Sequence, residues 1–178
     1  MSTDTWGPVD PSNRGGRSER SGPSLASYQR AARLLPSDAF ALELDFEFKR
    51  ARQTRTAFTL VIVESASRPG AGHATPDADL RELSTVIGRH IREVDLLGLT
   101  EDGSLALVLV DADSKDSERV TKRLASKIEG TAIVHARRVA IGAASFPAQA
   151  YDADSLKRYA RSRLVAIGEP GRLDGVAS

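Results

Sequence analysis

The amino-acid sequence predicts an α+β fold in which a mostly antiparallel central sheet is flanked by helices. Two apolar runs, FTLVIV and LALVLV, are too short to cross a bilayer and are typical of buried strands. Segments with apolar residues at helical spacing lie between and around them. After the leading helices the order is β-α-β-β-α-β-α. It contains the βαββαβ unit of a ferredoxin-like or palm-like sheet, whose helices lie on one face.

Composition limits the classes of function that the chain can have. Its 178 residues suit one domain with a core of its own, and 25 Lys and Arg nearly balance 24 Asp and Glu. No overall field therefore attracts nucleic acid or an anionic membrane, so we expect neither a nucleic-acid nor a membrane partner. The absence of cysteine excludes disulfides, zinc–thiolate sites and cysteine catalysis. Because the N-terminus, MSTDTWGPVD, does not resemble a secretory signal, we expect a cytoplasmic protein.

The N-terminal segment differs in composition from the rest of the chain. Residues 1–24 are mostly Ser, Gly, Pro, Thr, Asp and Arg, with Trp6 as their one aromatic residue. Such a segment buries too little apolar surface to offset the entropy of ordering, so a disordered tail is predicted. The folded domain is expected to span residues 25–176 and to begin with a short helix over LASYQRAARLL, residues 25–35.

The first long helix is predicted over SDAFALELDFEFKRARQ. Phe40, Leu44 and Phe48 recur every fourth residue, which predicts one buried stripe. Ser37 or Asp38 could cap its first turn.

The first central strand and the next helix follow. The run TAFTLVIVES, residues 56–65, is apolar and rich in β-branched residues, as is typical of a strand buried on both faces. Pro76 and Asp77 then begin a helix, because proline suits the first helical position and an acid suits the first turn. Its buried stripe is expected to consist of Leu80, Leu83, Ile87 and Ile91.

A hairpin is predicted where VDLLGLT and SLALVLV flank the sequence EDG. Asp102-Gly103 favours a type I′ turn, whose two central residues need positive φ.

The segment SKDSERVTKRLASKIEG predicts a further helix with Gly130 as its C-cap. TAIVHARRVAIGAASF supplies one or two more strands. DADSLKRYARSRLVAI predicts the last helix, with core-facing Leu156, Tyr159 and Leu164.

From about Ser37 to Arg172 the sequence resembles the GGDEF domain family, the diguanylate cyclases. The similar segments are the first long helix and strand, the stretch from Gly72-His73 to Arg92-x-x-Asp95, the hairpin, and the late strand with its closing helix. The resemblance implies a nucleotide-cyclase palm fold. Family members condense two GTP molecules into cyclic di-GMP, using metal ions bound by an acid at the hairpin tip and another on the first strand.

The family's signature residues are replaced at the predicted hairpin. In the resemblance, the Gly-Gly pair falls on Glu101 and Asp102, the two following acids on Gly103 and Ser104, and the closing Phe on Leu105. Two carboxylates therefore stand where backbone should approach GTP, and they repel phosphate. The sequence predicts a catalytically degenerate GGDEF-type domain without diguanylate cyclase activity.

Other positions that the resemblance assigns to the active site are also altered. Glu64 stands where a metal-binding Asp is expected; alone it is a weak ligand for a hard cation, so neither a metal site nor a required cofactor is predicted. Asp77 matches a guanine-contacting acid, and Ile167 falls on a phosphate-binding Lys in the closing helix. Single contacts of this kind contribute roughly 3 kcal/mol each to transition-state stabilisation.

One family feature is retained upstream of the hairpin. Arg92 and Asp95 match the Arg-x-x-Asp of the inhibitory site, which in the family binds cyclic di-GMP. Arg can bind phosphate or guanine through two N–H groups, and Asp can accept from guanine N–H groups. Arg119 resembles a third basic contact. The resemblance thus predicts a non-catalytic signalling module that receives cyclic di-GMP through these three residues and acts on an unidentified protein partner.

Two other functions stay open from the sequence. One is a ligand-free protein interaction or dimerisation domain, which could form a homodimer. The other is a residual cyclase or GTP-binding domain that uses Glu64 and Asp77.

Some candidate residues also have a purely structural explanation. Arg92 suits a helix C-terminus, and Asp95 could accept hydrogen bonds from loop amides. Asp102 and Gly103 form an Asp-Gly pair, which is common in turns.

Overall fold

The computed structural model describes residues 34–67 and 76–168, and its centre is a six-stranded sheet. The strands are β1 (Leu34–Leu35), β2 (Phe58–Ser67), β3 (Leu96–Leu99), β4 (Leu105–Val110), β5 (Arg137–Phe146) and β6 (Val165–Ile167). Their order in the sheet is β1-β3-β4-β2-β5-β6. β1 pairs with β3 in parallel, and all other neighbours pair antiparallel. The mostly antiparallel sheet predicted from the sequence is therefore confirmed.

Helices cover both faces of this sheet. The two crossover helices of the βαββαβ unit, residues 76–88 and 114–129, pack on one face, as the sequence predicts. The first and last helices, residues 37–54 and 153–162, pack on the other. No helix within the described ranges is long and apolar enough to cross a bilayer. The described helices are α1 (Ser37–Thr54), α2 (Pro76–Gly88), α3 (Ser114–Glu129), α4 (Ile133–Ala136) and α5 (Ala153–Ser162).

The predicted apolar patterns form the core. Phe40, Leu44 and Phe48 of α1 are buried, and the Phe48 ring meets Phe58 and Phe146 edge-on, with ring centroids 4.8 and 5.3 Å away. Successive residues of β2 point to opposite faces, and both faces are covered by helices. This explains why Phe58–Val63 form a continuous buried run instead of an alternating pattern.

Two glycines allow helices to approach the sheet closely. A Cβ on Gly98 of β3 would overlap the ring of Phe40 in α1, and a Cβ on Gly142 of β5 would overlap the carbonyl oxygen of Ala160 in α5. The second contact fixes the last turn of α5, including Arg161, against the centre of the sheet.

The hairpin is present, but its turn differs from the predicted type I′. Only Gly103 in the turn has a positive φ, of 82°. Its amide donates to the carbonyl of Thr100, and the amide of Thr100 donates to the carbonyl of Ser104, both at 2.9 Å. This pattern is typical of a three-residue loop in which glycine follows the turn in the left-handed conformation. Asp102 therefore keeps a negative φ.

The predicted ends of the first elements need correction. Leu34 and Leu35, expected to end a helix, form β1, and the rest of that predicted helix lies outside the described residues. Neither Ser37 nor Asp38 caps α1, because Pro36 takes the N-cap position. Residues 1–24 and the Gly72-His73 pair also lie outside the described ranges, and the predicted domain bounds stay a prediction.

The C-terminal elements also differ from the prediction. Residues 133–136 form α4 before the single strand β5, and the last helix ends at Ser162. Val165–Ile167 then pair with β5, so Ile167 is buried in a strand and not part of the closing helix. Leu156 is buried as predicted, whereas Tyr159 is exposed, so its predicted core position is wrong.

Candidate functional site

One arginine, which the sequence analysis did not identify, contacts two of the predicted site acids. Arg161 lies in the last turn of α5, where a cation is favoured by the helix dipole. Its Nε donates to Oε1 of Glu64 on β2 at 3.3 Å, and its Nη2 donates to Oδ2 of Asp102 in the hairpin turn. One guanidinium thus links Glu64, which the resemblance places at a metal-binding position, to Asp102, which it places on the Gly-Gly pair of the hairpin tip.

Asp102 is also bonded within its own turn. Its Oδ1 accepts from the hydroxyl of Thr100 and from the amide of Ser104. Partial burial opposes the charged form, but these hydrogen bonds and the charge of Arg161 outweigh it, so the pKa of Asp102 is lowered from its ordinary value. The carboxylate therefore acts as an internal acceptor that stabilises the turn.

The remaining hairpin positions divide between solvent and core. Glu101 and Gly103 are exposed at the tip, and Ser104 is partly buried. Leu105, which the resemblance places on the family's closing Phe, is buried and pairs with Val63 of β2. The tip thus presents the side chain of Glu101 to solvent, at the position where the resemblance implies that the backbone approaches GTP closely.

The carboxylate oxygens around Arg161 are too few to coordinate a divalent metal ion. Within residues 34–67 and 76–168, no three acidic or histidine side chains converge as ligands. Hard cations such as Mg²⁺ and Ca²⁺ take six or more oxygen ligands, whereas Glu64 and Asp102 share one guanidinium. Asp77 is the second residue of α2, and its side chain lies outside what the structure describes.

A buried ion pair lies next to the start of α2. Arg137 Nε of β5 lies 2.7 Å from Asp79 Oδ2, with 9% and 7% of the two side chains exposed. Arg137 also donates through Nη1 to the hydroxyl of Ser67 at the end of β2. These contacts link α2 to two neighbouring strands, so the pair has a structural role that the local sequence pattern did not reveal.

The Arg-x-x-Asp sequence of Arg92 and Asp95 occupies the loop between α2 and β3. Oδ2 of Asp95 accepts from the amide of Arg92 at 2.8 Å, and Oδ1 accepts from the amide of Val110 at 3.1 Å. The carboxylate therefore closes its own loop and links it to the end of β4. The side chain of Arg92 is exposed, whereas Asp95 is partly buried.

The third predicted contact, Arg119, lies on α3. Its side chain is 80% exposed, and Nη2 lies 3.7 Å from Asp116 one turn earlier. One turn later, about 6 Å along the helix axis, Arg123 donates to the carbonyl of His90 at 2.9 Å. That contact, which the sequence did not suggest, holds α3 against the loop that carries Arg92.

Comparison with known proteins identifies the family. The model of the family "Diguanylate cyclase, GGDEF domain" matches residues 30–173, so the chain belongs to the GGDEF family and is homologous to diguanylate cyclases. The predicted family is therefore confirmed. None of the curated proteins matches the chain significantly.

Solved structures of this family share the fold. The GGDEF domain of PA1120 (TpbB or YfiN) from Pseudomonas aeruginosa has a TM-score of 0.64 and 21% identity, covering 78% of this chain and 83% of that one. A DGC protein from Thermotoga maritima has a TM-score of 0.61 and 17% identity, with coverage of 75% and 98%. The GGDEF domain of DgcB from Caulobacter crescentus, in complex with c-di-GMP, has a TM-score of 0.60 and 19% identity, with coverage of 72% and 80%.

Proposed function

We propose that this chain is a non-catalytic GGDEF signalling module. The observation that supports this most directly is the contact of Arg161 with both Glu64 and Asp102. GTP condensation depends on metal ions that offset the charge of the reacting phosphates. Here Arg161 binds Glu64, the carboxylate that the resemblance places at a metal position, and offsets one of the two negative charges of Glu64 and Asp102. Glu101 adds a further negative charge at the tip. We therefore expect neither productive GTP binding nor turnover.

Incubation of the full chain with GTP and Mg²⁺ or Mn²⁺ tests this proposal. We expect no cyclic di-GMP above the protein-free blank, with an active diguanylate cyclase as the positive control. Cyclic product that disappears in a Glu64→Gln variant would show that the chain itself is catalytic, because this substitution removes the carboxylate charge without changing the size of the side chain.

Cyclic di-GMP is the ligand that we assign to this module. The related DgcB domain is in complex with that nucleotide, and Arg92 and Asp95 match the family's inhibitory motif. The exposed guanidinium groups of Arg92 and Arg119 can each bind a phosphate through two N–H groups. A carboxylate has about four acceptor sites, so Asp95 keeps acceptor capacity for guanine beyond its two bonds to backbone amides.

Calorimetric titration with cyclic di-GMP tests the ligand assignment. We expect wild type to bind and Arg92→Ala and Arg119→Ala to bind about tenfold more weakly each, because a hydrogen bond to a charged group contributes about 1.5 kcal/mol or more. Arg138→Ala removes an exposed arginine from β5 and is the matched control. Absence of heat with wild type would reject cyclic di-GMP as the ligand. It would not affect the non-catalytic assignment, which the GTP experiment tests separately.

The output of the module is proposed to be contact with a partner protein. The loop of Arg92 and the first half of α3 are exposed together. A nucleotide that bridges Arg92 and Arg119 would neutralise both guanidinium groups and change the charge of this surface. A partner that recognises the altered surface would read the presence of cyclic di-GMP.

A further inference from the structure

The outer face of α1 exposes two large apolar side chains. Leu42 is 56% exposed and Phe46 is 52% exposed, and they lie one helical turn apart on the side of α1 that faces away from the sheet. A shallow groove between α1 and the start of α5 runs beside Leu42, with Asp154 and Lys157 on its far wall. Adjacent apolar side chains of this size on one exposed helix face are typical of a contact surface.

The exposed charges of α1 are segregated along the helix. Acids occupy its first half and bases its second half and C-cap, with Phe46 near the middle. The exposed acids are Asp38, Glu43 and Asp45, and the exposed bases are Lys49, Arg52 and Arg55. The arrangement agrees with the helix dipole. It also makes the face complementary to itself, because a rotation of 180° about Phe46 places the acidic half against the basic half.

We infer that this outer face of α1 is the contact surface between two copies of this chain. The two α1 helices lie antiparallel about a twofold axis through Phe46, which makes the interface isologous. The two Phe46 rings meet at the axis in an offset or edge-on arrangement. Three residues to either side, Glu43 of each copy faces Lys49 of the partner subunit.

The contacts within one copy leave these groups available. Lys49 lies 3.9 Å from Asp45, with 68% and 60% of the two side chains exposed, and an ion pair of that kind contributes little. Lys49 Nζ also lies 5.6 Å from the centroid of the Phe46 ring. A second copy is favoured over an unrelated protein as the occupant, because one face supplies both halves of the charge complement.

This inference is independent of the proposed nucleotide site. α1 covers the face of the sheet opposite α2 and α3, whereas Arg119 lies on α3. One helix face with part of a groove makes a small interface, so we expect a concentration-dependent dimer. We also expect the dimer to weaken with added salt, because the ion pairs are exposed to screening.

Sedimentation velocity of the full chain over a range of protein and salt concentrations tests the inference. We expect a monomer–dimer equilibrium for wild type and a monomer for Phe46→Ser. Val94→Ser changes another exposed apolar residue, in the Arg92 loop, and should leave the dimer intact. Circular dichroism on each variant separates loss of association from loss of folding.

Charge reversal tests the antiparallel pairing itself. Glu43→Lys and Lys49→Glu each place like charges opposite one another at both symmetry-related contacts, so each variant alone should be monomeric. An equimolar mixture of the two variants restores opposite charges at both contacts and should form a heterodimer.

Three results would overturn the inference. A wild-type chain that stays monomeric at its solubility limit would assign the surface to a different partner. A dimer that persists in Phe46→Ser would place the interface elsewhere. Failure of the mixed charge variants to associate, with wild type dimeric, would exclude the twofold antiparallel arrangement.

Discussion

Single residues decide what the region around the hairpin can bind. Arg161 provides a positive charge between Glu64 and Asp102 and offsets one of their two negative charges. The sequence identified the two acids, because they fall on family positions. It did not identify their common partner, since Arg161 lies 97 residues from Glu64 and 59 from Asp102. Contacts over such separations depend on the folded sheet and not on any local pattern.

The lowered pKa of Asp102 predicts a pH dependence of stability. A carboxyl whose pKa is lower in the folded chain stabilises it above the unfolded pKa of about 3.9, and that contribution disappears as pH falls through the lowered value. Asp102→Asn should therefore reduce the free energy of unfolding at pH 7 by less than about 1 kcal/mol, since the group is half exposed.

Urea unfolding of wild type and Asp102→Asn at pH 7 and near pH 3 measures this effect. The difference between the two proteins should shrink at the lower pH. A difference that is constant or larger at low pH would mean that the bonds from Thr100 and Arg161 do not stabilise the charged carboxylate.

At the scale of elements, local patterns predicted the helices and central strands more reliably than their ends. The buried stripe of α1 and the apolar run of β2 each reflect one periodicity, and the structure contains both. The turn type and β6 were predicted wrongly. Gly103 adopts its φ as part of the three-residue loop, and Val165–Ile167 become a strand because β5 offers an edge for pairing.

The close contact of α5 with β5 predicts an intolerant glycine. A methyl group at Gly142 would meet the backbone of Ala160, which cannot yield as a flexible side chain could. Gly142→Ala should therefore lower the free energy of unfolding by about 2 kcal/mol or more. It should also displace Arg161 from Glu64, because α5 has to move away from the sheet.

Chemical denaturation measures the stability change, with Gly130→Ala as the control. A Cβ at Gly130 would lie 3.7 Å from the nearest backbone atom, and its φ of −73° suits alanine. This control should change stability by no more than about 0.5 kcal/mol. Equal effects at the two glycines would contradict the close approach of α5 to β5.

At the scale of the whole molecule, the sheet separates two surfaces with different proposed roles. α2 and α3 cover one face and adjoin the proposed nucleotide site, and α1 presents the proposed contact between copies on the other. We expect the two surfaces to work independently. Phe46→Ser should leave the affinity for cyclic di-GMP unchanged, and Arg92→Ala should leave the monomer–dimer equilibrium unchanged.

Calorimetry on Phe46→Ser and sedimentation on Arg92→Ala measure this independence. If either variant changed the other property by about tenfold, the two surfaces would be coupled by more than 1 kcal/mol. Ligand binding would then control assembly through the sheet.

The outermost strands have a consequence for how copies of this fold can associate. As far as the described residues extend, the sheet is bounded by β1 with two residues and β6 with three. The unpaired backbone N–H and C=O groups of an edge strand can pair with a strand from another chain, and a short edge strand offers few such groups. The long strand β2 is enclosed between β4 and β5. The outer edge of β5 is covered in part, because β6 pairs with Val139–Ile141 and Gln149 bonds the amide and carbonyl of Ser145. Continuous β-sheet assembly is therefore disfavoured, and reversible association is left to the helical surfaces.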